Sequence, residues 1–437
     1  MSNNNIPDNN HGYNRRRFIG NAGKTIIASG IIGASLNNEA EAQTPTGTGS
    51  KKTSDAIKVE LPPIHAPSEK QDKWPAISPP AKRVGYALVG LGNLTLGELL
   101  PAFAECKYSK VVALVSGSPD KAKKVAAQYG IADKNIYNYQ NYDSISKNPE
   151  IDAVYIVLPN SMHKEYTIRA AKAGKHVLCE KPMANSSAEA QEMIDACKKA
   201  GKKLMIAYRI QYEPHNRLAM QWTRDKKYGQ VKVINSVNVQ NSGAPPQWRL
   251  DKKLAGGGSL PDIGLYCSNT NRFLLGEEPH TVLASMYSTP NDPRFKEVEE
   301  TVMFQMFFPS GAVANNLCSY GVHDSKHYRC YADNGGWFGL DPAFAYHGLK
   351  MEVSQTQGDI EMKQNPSKGE KNQFALEIDH FSECVMDNKT PYTPGEEGLQ
   401  DHKVLEAIYE SARTGKPVKL ERIDKLDAFR GSPPTEK

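Results

Sequence analysis

Val84-Gly85-Tyr86-Ala87-Leu88-Val89-Gly90-Leu91-Gly92-Asn93-Leu94-Thr95 decides the fold of this chain. The apolar run 84–89 has the pattern of a short strand buried on both faces, as in a parallel sheet. Two glycines follow it, and helical spacing begins near Leu96. Strand, tight glycine turn and helix in that order head a βαβ unit that binds a dinucleotide. The glycines let backbone approach a pyrophosphate, and the helix N-terminus adds positive field. The third glycine of the usual fingerprint is replaced by Thr95. An ordinary tight βα turn could carry the same letters, so the placement between strand and helix bears the reading.

Downstream of this turn the alternation continues. Strands are predicted over 110–115, 152–158, 176–179 and 203–208, with helices over 119–129, 161–173 and 187–200. The last helix opens on a capping box, Ser186 with Glu189, and stops at Gly201. Alternating strands and helices with short connections predict a doubly wound parallel α/β sheet, the Rossmann arrangement, over 83–208. From 209 to 437 the pattern changes. A helix over 213–226 leads to strands over 231–239, 281–287, 299–308 and 312–320, with Pro309-Ser310-Gly311 as a hairpin turn and a last helix over 399–412. This predicts an α+β domain with a large, mostly antiparallel sheet, one face of which must be covered.

Upstream, Asn14-Arg15-Arg16-Arg17-Phe18-Ile19 reads as a twin-arginine export signal. An apolar stretch over 25–36 follows, then a small-residue cleavage site at Ala40-Glu41-Ala42. The expectation is a signal over 1–42, cleavage near Ala42, export by the twin-arginine machinery and a periplasmic location. The stretch is too short and glycine-rich for a stable membrane helix. Residues 43–82 are rich in Pro, Ser, Thr and Lys and read as an arm. Ile64, Trp74 and Ile77 argue that it docks on a surface, and Trp74 and Pro75 are its expected contacts.

The 437 residues carry a net charge of +5, too small for a dedicated nucleic-acid binder, and no basic stripe is interleaved with aromatics. The seven cysteines are odd in number and contain no C-x-x-C, so neither a disulfide framework nor a zinc site is indicated.

The end of the second predicted strand chooses the cofactor. An NAD site wants an acid there for the ribose hydroxyls. This chain has Val115-Ser116-Gly117-Ser118, with Lys121 one turn into the next helix. A 2′-phosphate fits beside Ser116 and Gly117 with Lys121 as cationic partner, so NADP is expected before NAD. Asp120, the nearest acid, sits in a predicted first helical turn.

Cys179-Glu180-Lys181-Pro182 ends a strand at the carboxyl edge of the predicted sheet, where open α/β proteins bind ligands. A glycine-rich stretch, Ala255-Gly256-Gly257-Gly258-Ser259-Leu260-Pro261-Asp262-Ile263-Gly264-Leu265-Tyr266, enters a helix near Pro261. That spacing sets Asp262 and Tyr266 on one helical face. A Lys, an Asp and a Tyr beside a nicotinamide suit alcohol oxidation: a hydride leaves to the cofactor, and a proton to a tyrosine aided by a nearby cation. A surface ion pair for Lys181 and a helix-capping acid at Asp262 are the bland alternatives.

At these residues the chain resembles the glucose–fructose oxidoreductase/inositol dehydrogenase (Gfo/Idh/MocA) family. The likeness runs through Leu158-Pro159-Asn160-Ser161-Met162-His163, Leu204-Met205-Ile206-Ala207-Tyr208-Arg209, Gln247-Trp248-Arg249-Leu250 and Pro394-Gly395-Glu396-Glu397-Gly398, and covers residues 83–420. The resemblance implies a tightly held NADP and a ping-pong cycle. One aldose, such as glucose, is oxidised to its lactone, and a second sugar, such as fructose, is reduced to a polyol. It implies Lys181 and Tyr266 as the acid/base groups and Asp262 as a substrate-positioning group. It places Gly90, Gly92, Asn93, Leu94, Ser116, Gly117, Lys121, Leu158, Asn160, Glu180 and Lys181 on the cofactor, with His163 near the nicotinamide ribose. Arg209, Trp248, Arg249 and Tyr346 are implied as cofactor or pocket contacts. It also implies a homo-oligomer, dimer or tetramer, in which the arm wraps a neighbour. Residues 241–246 and 358–369 depart from the family pattern and are expected near the substrate. An aldose or glycoside dehydrogenase, a glycoside hydrolase using NAD transiently, and a non-catalytic sugar sensor stay open as alternatives. The sensor should have lost Lys181 or Tyr266.

Overall fold

The protein is seen in a computed structural model that describes residues 82–434. The export signal assigned to 1–42 lies outside the described residues. So does the arm assigned to 43–82, Trp74 and Pro75 included, apart from its last residue, Lys82.

The first half forms one parallel sheet. Its strands are β1 (Val84–Val89), β2 (Ser109–Val115), β3 (Ile136–Tyr137), β4 (Ala153–Ile156), β5 (His176–Glu180) and β6 (Leu204–Ala207), in spatial order β3-β2-β1-β4-β5-β6. Every residue of β1 and β4 is buried, which is why these strands read as unbroken apolar runs. Helices α1 (Leu100–Glu105), α2 (Pro119–Tyr129), α3 (Asn160–Lys172) and α4 (Ser187–Lys199) make the connections. Ser186 caps α4 by accepting from the Glu189 N–H, and α2 ends on left-handed Gly130. Because β2 lies on one side of β1 and β4 on the other, the chain reverses its winding at the carboxyl end of β1, where open α/β sheets leave a crevice.

The second half begins with α5 (Pro214–Arg224) and β7 (Val231–Asn241), followed by α6 (Lys252–Ala255) and α7 (Leu265–Leu275). Seven strands come next: β8 (Thr281–Tyr287), β9 (Thr301–Phe307), β10 (Val313–Ser319), β11 (Gly321–Ala332), β12 (Gly336–Leu340), β13 (Met351–Gln357) and β14 (Ile360–Gln364). Helices α8 (Gln373–Met386) and α9 (Gly395–Thr414) and the short β15 (Val418–Lys419) end the series. The strands order as β14-β13-β12-β11-β7-β10-β9-β8-β15. Pairing is antiparallel throughout except between β7 and β10. Val302, Phe304 and Met306 of β9 are buried, Met306 meeting Asn271 of α7, while Met303 between them is half exposed. The hairpin predicted at 309–311 joins β9 to β10, with Gly311 at φ +85°.

The later helices return to the site. Helix α8 packs on the parallel sheet, where the Ser382 hydroxyl contacts both Tyr86 (2.8 Å) and Ser109 (2.7 Å). Helix α9 is tied to α7 by buried ions: Arg272 pairs with Glu278, Glu397 and Asp401, and Arg430 also reaches Glu397. All seven cysteines are buried free thiols. Among the described residues no helix is long and apolar enough to cross a membrane.

Candidate active site

The glycine loop leaves β1 with Gly90 at φ +98°, where a Cβ would sit 2.2 Å from the Val157 carbonyl oxygen. Only glycine fits both that dihedral angle and that approach. A Cβ on Gly92 would meet no described residue within 4 Å, which leaves space among the described residues for a ligand in front of this second glycine. Thr95 explains the missing third glycine: it is fully buried and its hydroxyl donates to the Gly90 carbonyl at 2.7 Å, tying the first helical turn to the loop. Asn93 is exposed and Leu94 half buried on the same turn.

At the end of β2, the Ser116 hydroxyl accepts from the Ser118 N–H at 3.1 Å, and Gly117 is exposed. The Lys121 ammonium reaches back to the Leu91 carbonyl at 3.4 Å, which puts a cation between the β2 turn and the glycine loop. Burial lowers its pKa, and an anion placed there would oppose that shift. Among the described residues no carboxylate stands at the strand end: Asp120 is exposed on α2. Open space, helix N-terminus, hydroxyl and cation together fit a dinucleotide bearing a 2′-phosphate.

The chemistry-bearing residues meet along the carboxyl edge of the same sheet. Lys181 follows β5, and its ammonium donates to the Asp262 carboxylate and to the Asp262 backbone carbonyl, each at 2.9 Å. Asp262 also accepts from Arg249 Nε at 3.2 Å and from the Tyr320 hydroxyl at 2.6 Å. Burial would raise the Asp262 pKa, but Lys181 and Arg249 outweigh it and hold the carboxyl well below its usual range. Burial likewise works against the Lys181 charge, yet Asp262 and then Tyr266 keep its pKa above the ordinary lysine value. Lys181 is therefore a fixed ammonium.

Tyr266 flanks that ammonium, whose nitrogen lies 4.6 Å from the ring centroid. Arg209 Nη2 is 3.3 Å from the Tyr266 hydroxyl. Asp262 and Tyr266 thus bracket Lys181 as their spacing predicts, although the turn carrying Asp262 is a π-turn over Leu260–Gly264 rather than regular α-helix. Its position is set by the glycine run. A Cβ on Gly258 would lie 2.1 Å from the Glu299 carbonyl oxygen, and the Glu299 carboxylate accepts from the Gly258 and Leu260 N–H groups at 2.9 Å each. Asn160 adds a further tie, donating to the Ala255 carbonyl at 2.8 Å.

Arg209 is buried and donates to the Phe344 and Ala345 carbonyls and to Gln373, while Tyr346 covers its guanidinium at 4.5 Å and remains 42% exposed. Trp248 stacks on Arg249 at 4.5 Å, just outside Asp262. Lys181 and Tyr266 also line a small cavity with Tyr208, Ile210, Leu265 and Asn269. Glu180 is buried and accepts from the Tyr155 hydroxyl at 2.8 Å.

His163, expected near the nicotinamide ribose, is held by backbone carbonyls on both sides of its ring. It is fully buried, and its ring nitrogens lie 2.8 Å from the Pro182 carbonyl and 2.9 Å from that of Leu158. With both nitrogens so engaged it acts as a strut between the loop after β4 and the turn that carries Lys181. The stretch 358–369 supplies the exposed outermost strand β14, whereas 241–246 leads into the Trp248–Arg249 wall.

Tyr320 and Glu299 do not stand out in the sequence. Tyr320 closes a strand of apolar alternation and reads as one more core aromatic. Glu299 sits in the acidic run Glu297-Val298-Glu299-Glu300 just before β9, and nothing local marks it from its neighbours.

Residues 84–208 match the model of an oxidoreductase family with an NAD-binding Rossmann fold, and residues 224–420 match that family's C-terminal α/β domain. The chain belongs to this Gfo/Idh/MocA oxidoreductase family. Among solved structures, an aldose-aldose oxidoreductase from Caulobacter crescentus, complexed with glycerol, is 46% identical with a TM-score of 0.75 over 78% of this chain and all of that one. A D-xylose 1-dehydrogenase [NADP(+)] from Haloarcula marismortui is 31% identical over 77% of this chain and 93% of its own length. A D-xylose 1-dehydrogenase (NADP(+)) from Haloferax volcanii is 28% identical over 77% of this chain and 99% of its own. These relatives are sugar oxidoreductases, in agreement with the class read from the sequence.

Proposed function

We propose that the protein oxidises an aldose at its anomeric carbon to a lactone and returns the reducing equivalents to a second sugar, reduced to its polyol, on one retained NADP. The observation that carries this reading is the Lys181–Asp262–Tyr266 cluster, set at the same sheet edge as a nucleotide loop with a cation, and no acid, at its ribose end. Bound NADP supplies the hydride acceptor and, once reduced, the hydride donor.

In this reading Tyr266, acting as the phenolate, takes the proton of the anomeric hydroxyl and later, as the phenol, gives it to the second sugar's carbonyl oxygen. The Lys181 ammonium and the Arg209 guanidinium stabilise the negative charge that develops on the tyrosine and sugar oxygens. Asp262, pinned by Tyr320, Arg249 and Lys181, holds Lys181 in place and presents a carboxylate edge to a sugar hydroxyl. The 46% identity to an aldose-aldose oxidoreductase supports an aldose as donor and leaves both aldoses and ketoses to be tried as acceptor.

Export by the twin-arginine route to the periplasm belongs to the same reading, since a cofactor carried inside a folded protein is regenerated there only by a second substrate. Tyr287 and Met303, more than half exposed on adjoining strands, favour a homo-oligomer.

The test is a mixture of purified protein with one aldose and no added nucleotide. A stoichiometric rise in reduced-nicotinamide absorbance, reversed by a second sugar, is expected. Steady turnover that requires added NADP, with no nucleotide released on denaturation, would instead favour a plain aldose dehydrogenase, the activity of the xylose dehydrogenase relatives.

A further inference from the structure

Behind Lys181 lies a buried pair of carboxylates that the reaction above does not use. Glu377, on α8, is fully buried, and the Tyr155 hydroxyl of β4 stands between it and Glu180. That hydroxyl is 2.8 Å from Glu180 Oε1 and 3.4 Å from Glu377 Oε1. A phenol has one hydrogen, and the shorter contact takes it. The longer contact is then attractive only when Glu377 brings a proton of its own; two bare acceptor oxygens would repel. The second Glu377 oxygen has no hydrogen-bond partner among the described residues.

The charges around the pair agree. Arg209 is the cation felt by both carboxylates, and its own hydrogen bonds go elsewhere: to Gln373, the Phe344 and Ala345 carbonyls, and Tyr266. Glu180 has the Lys181 ammonium as well, whereas Glu377 faces Glu180 itself and the buried Tyr212. Burial, and then the Glu180 charge, raise the Glu377 pKa well above the carboxylate range. Burial raises the Glu180 pKa as well, but Lys181, Tyr155 and Arg209 pull against it; of two buried like charges sharing one site, the one beside the extra cation is the one that ionises.

We propose that Glu377 is a positioning residue carried as the neutral acid, donating to Tyr155 so that Tyr155 in turn fixes Glu180 as an ionised, oriented carboxylate beside Lys181. Its effect on reactivity rests on the reading that a nicotinamide binds at this edge; the protonation state does not. A fixed negative charge there favours the oxidised, positively charged ring over the reduced one. Removing the support lets Glu180 rotate or take up a proton, and the bound cofactor becomes easier to reduce.

Infrared difference spectra of the purified full-length protein against Glu377→Gln test the protonation state without turnover. Loss of a neutral carboxylic-acid carbonyl band at neutral pH is expected; loss of carboxylate bands alone overturns the proposal. The second measurement is the ratio of reduced to oxidised bound cofactor after equilibration with a fixed aldose/lactone mixture. Glu377→Leu and Tyr155→Phe should each raise it about tenfold, the effect of a one-unit electrostatic shift, and Glu377→Gln, which keeps a neutral donor, should restore it. An unchanged ratio in Tyr155→Phe, or a Gln variant that behaves like Leu, overturns the positioning role. If the unmodified protein releases no nicotinamide on denaturation, the cofactor reading fails while the infrared result still decides the proposal.

Discussion

The Lys181 ammonium binds Asp262 twice, through the side-chain carboxylate and through the backbone carbonyl, at 2.9 Å each. One aspartate therefore fixes both the charge and the place of the lysine, and the same ammonium rests 4.6 Å from the Tyr266 ring. In the proposed reaction a lysine held in this way would stabilise charge, and the movable proton would fall to the tyrosine. The division of labour sharpens the expectation from sequence, in which lysine and tyrosine shared the acid/base role.

Tyr266→Phe should lower sugar oxidation by about 10²- to 10⁴-fold, the usual worth of a positioned acid/base group. Nucleotide content should stay at the unmodified level, because the ring and its packing on Lys181 remain. Single-turnover absorbance on protein loaded with its own cofactor measures this. A near-normal rate would remove Tyr266 from the proton step.

Asp262→Asn gives a pH-dependent stability difference whose sign follows from the depressed pKa of Asp262. A carboxyl whose folded pKa lies below its unfolded value adds stability that is complete above the unfolded value, about 4 for aspartate. That stability is lost as pH falls toward the folded value. The variant should thus be less stable than the parent by a constant amount between about pH 6 and 8, well above that value, and the gap should narrow in acid. Urea unfolding at a series of pH values reports it, and a gap that widens in acid would contradict the pairing.

Tyr320→Phe removes the hydroxyl that donates to Asp262 at 2.6 Å and leaves the ring packed. The expected loss of stability is about 1 to 3 kcal/mol, from a charge-assisted hydrogen bond. Asp262 keeps Lys181 and Arg249, so kcat should fall less than in Tyr266→Phe while the sugar KM rises. Parallel kinetics of the two variants separate a positioning hydroxyl from the proton carrier.

Lys121→Glu places an anion where the Lys121 ammonium now meets the glycine loop. Affinity for NADP should drop by about ten- to a hundredfold, the worth of one charge-assisted hydrogen bond to the phosphate, with NAD affected far less. Assay of the nucleotide released from the denatured variant, or titration of nucleotide-free protein, checks this. Equal weakening for the two nucleotides would take the 2′-phosphate away from Lys121.

Gly258→Ala should displace the turn that carries Asp262, since its Cβ would press on the Glu299 backbone at 2.1 Å. Overpacking of this kind costs about 1 to 3 kcal/mol. Thermal unfolding would show the destabilisation, and activity should fall together with stability.

The parallel half was legible because its signals are local. Strands such as 84–89 are buried on both faces and spell themselves as apolar runs, and the helix predicted over 119–129 has those very bounds in the structure. In the second half, β11 with its run His323-Asp324-Ser325-Lys326-His327 and the fully exposed β14 carry no such run, so the sequence does not betray them; their existence depends on backbone pairing with neighbours. Helix α8 does carry helical spacing, with Phe374, Ile378, Phe381 and Val385 after the capping Asn372, although it is not among the helices predicted above; what the sequence does not show is its packing on the parallel sheet, which joins segments nearly three hundred residues apart, as the Tyr86–Ser382 separation of 296 shows.

By itself the sequence determined the sheet of the first half, the glycine turn, the lack of an acid after β2, and the identities of Lys181, Asp262 and Tyr266. Each of these is written within a few residues and answers to a local period or turn. The tertiary structure alone decided that Lys181 is a locked cation, that Tyr320 and Glu299 hold the Asp262 turn, that His163 is a strut, and that Glu377 stands behind Glu180. The physical reason is that the charge and orientation of a buried polar group are set by whichever partners reach it once water is excluded. Those partners come from strands and helices far away along the chain.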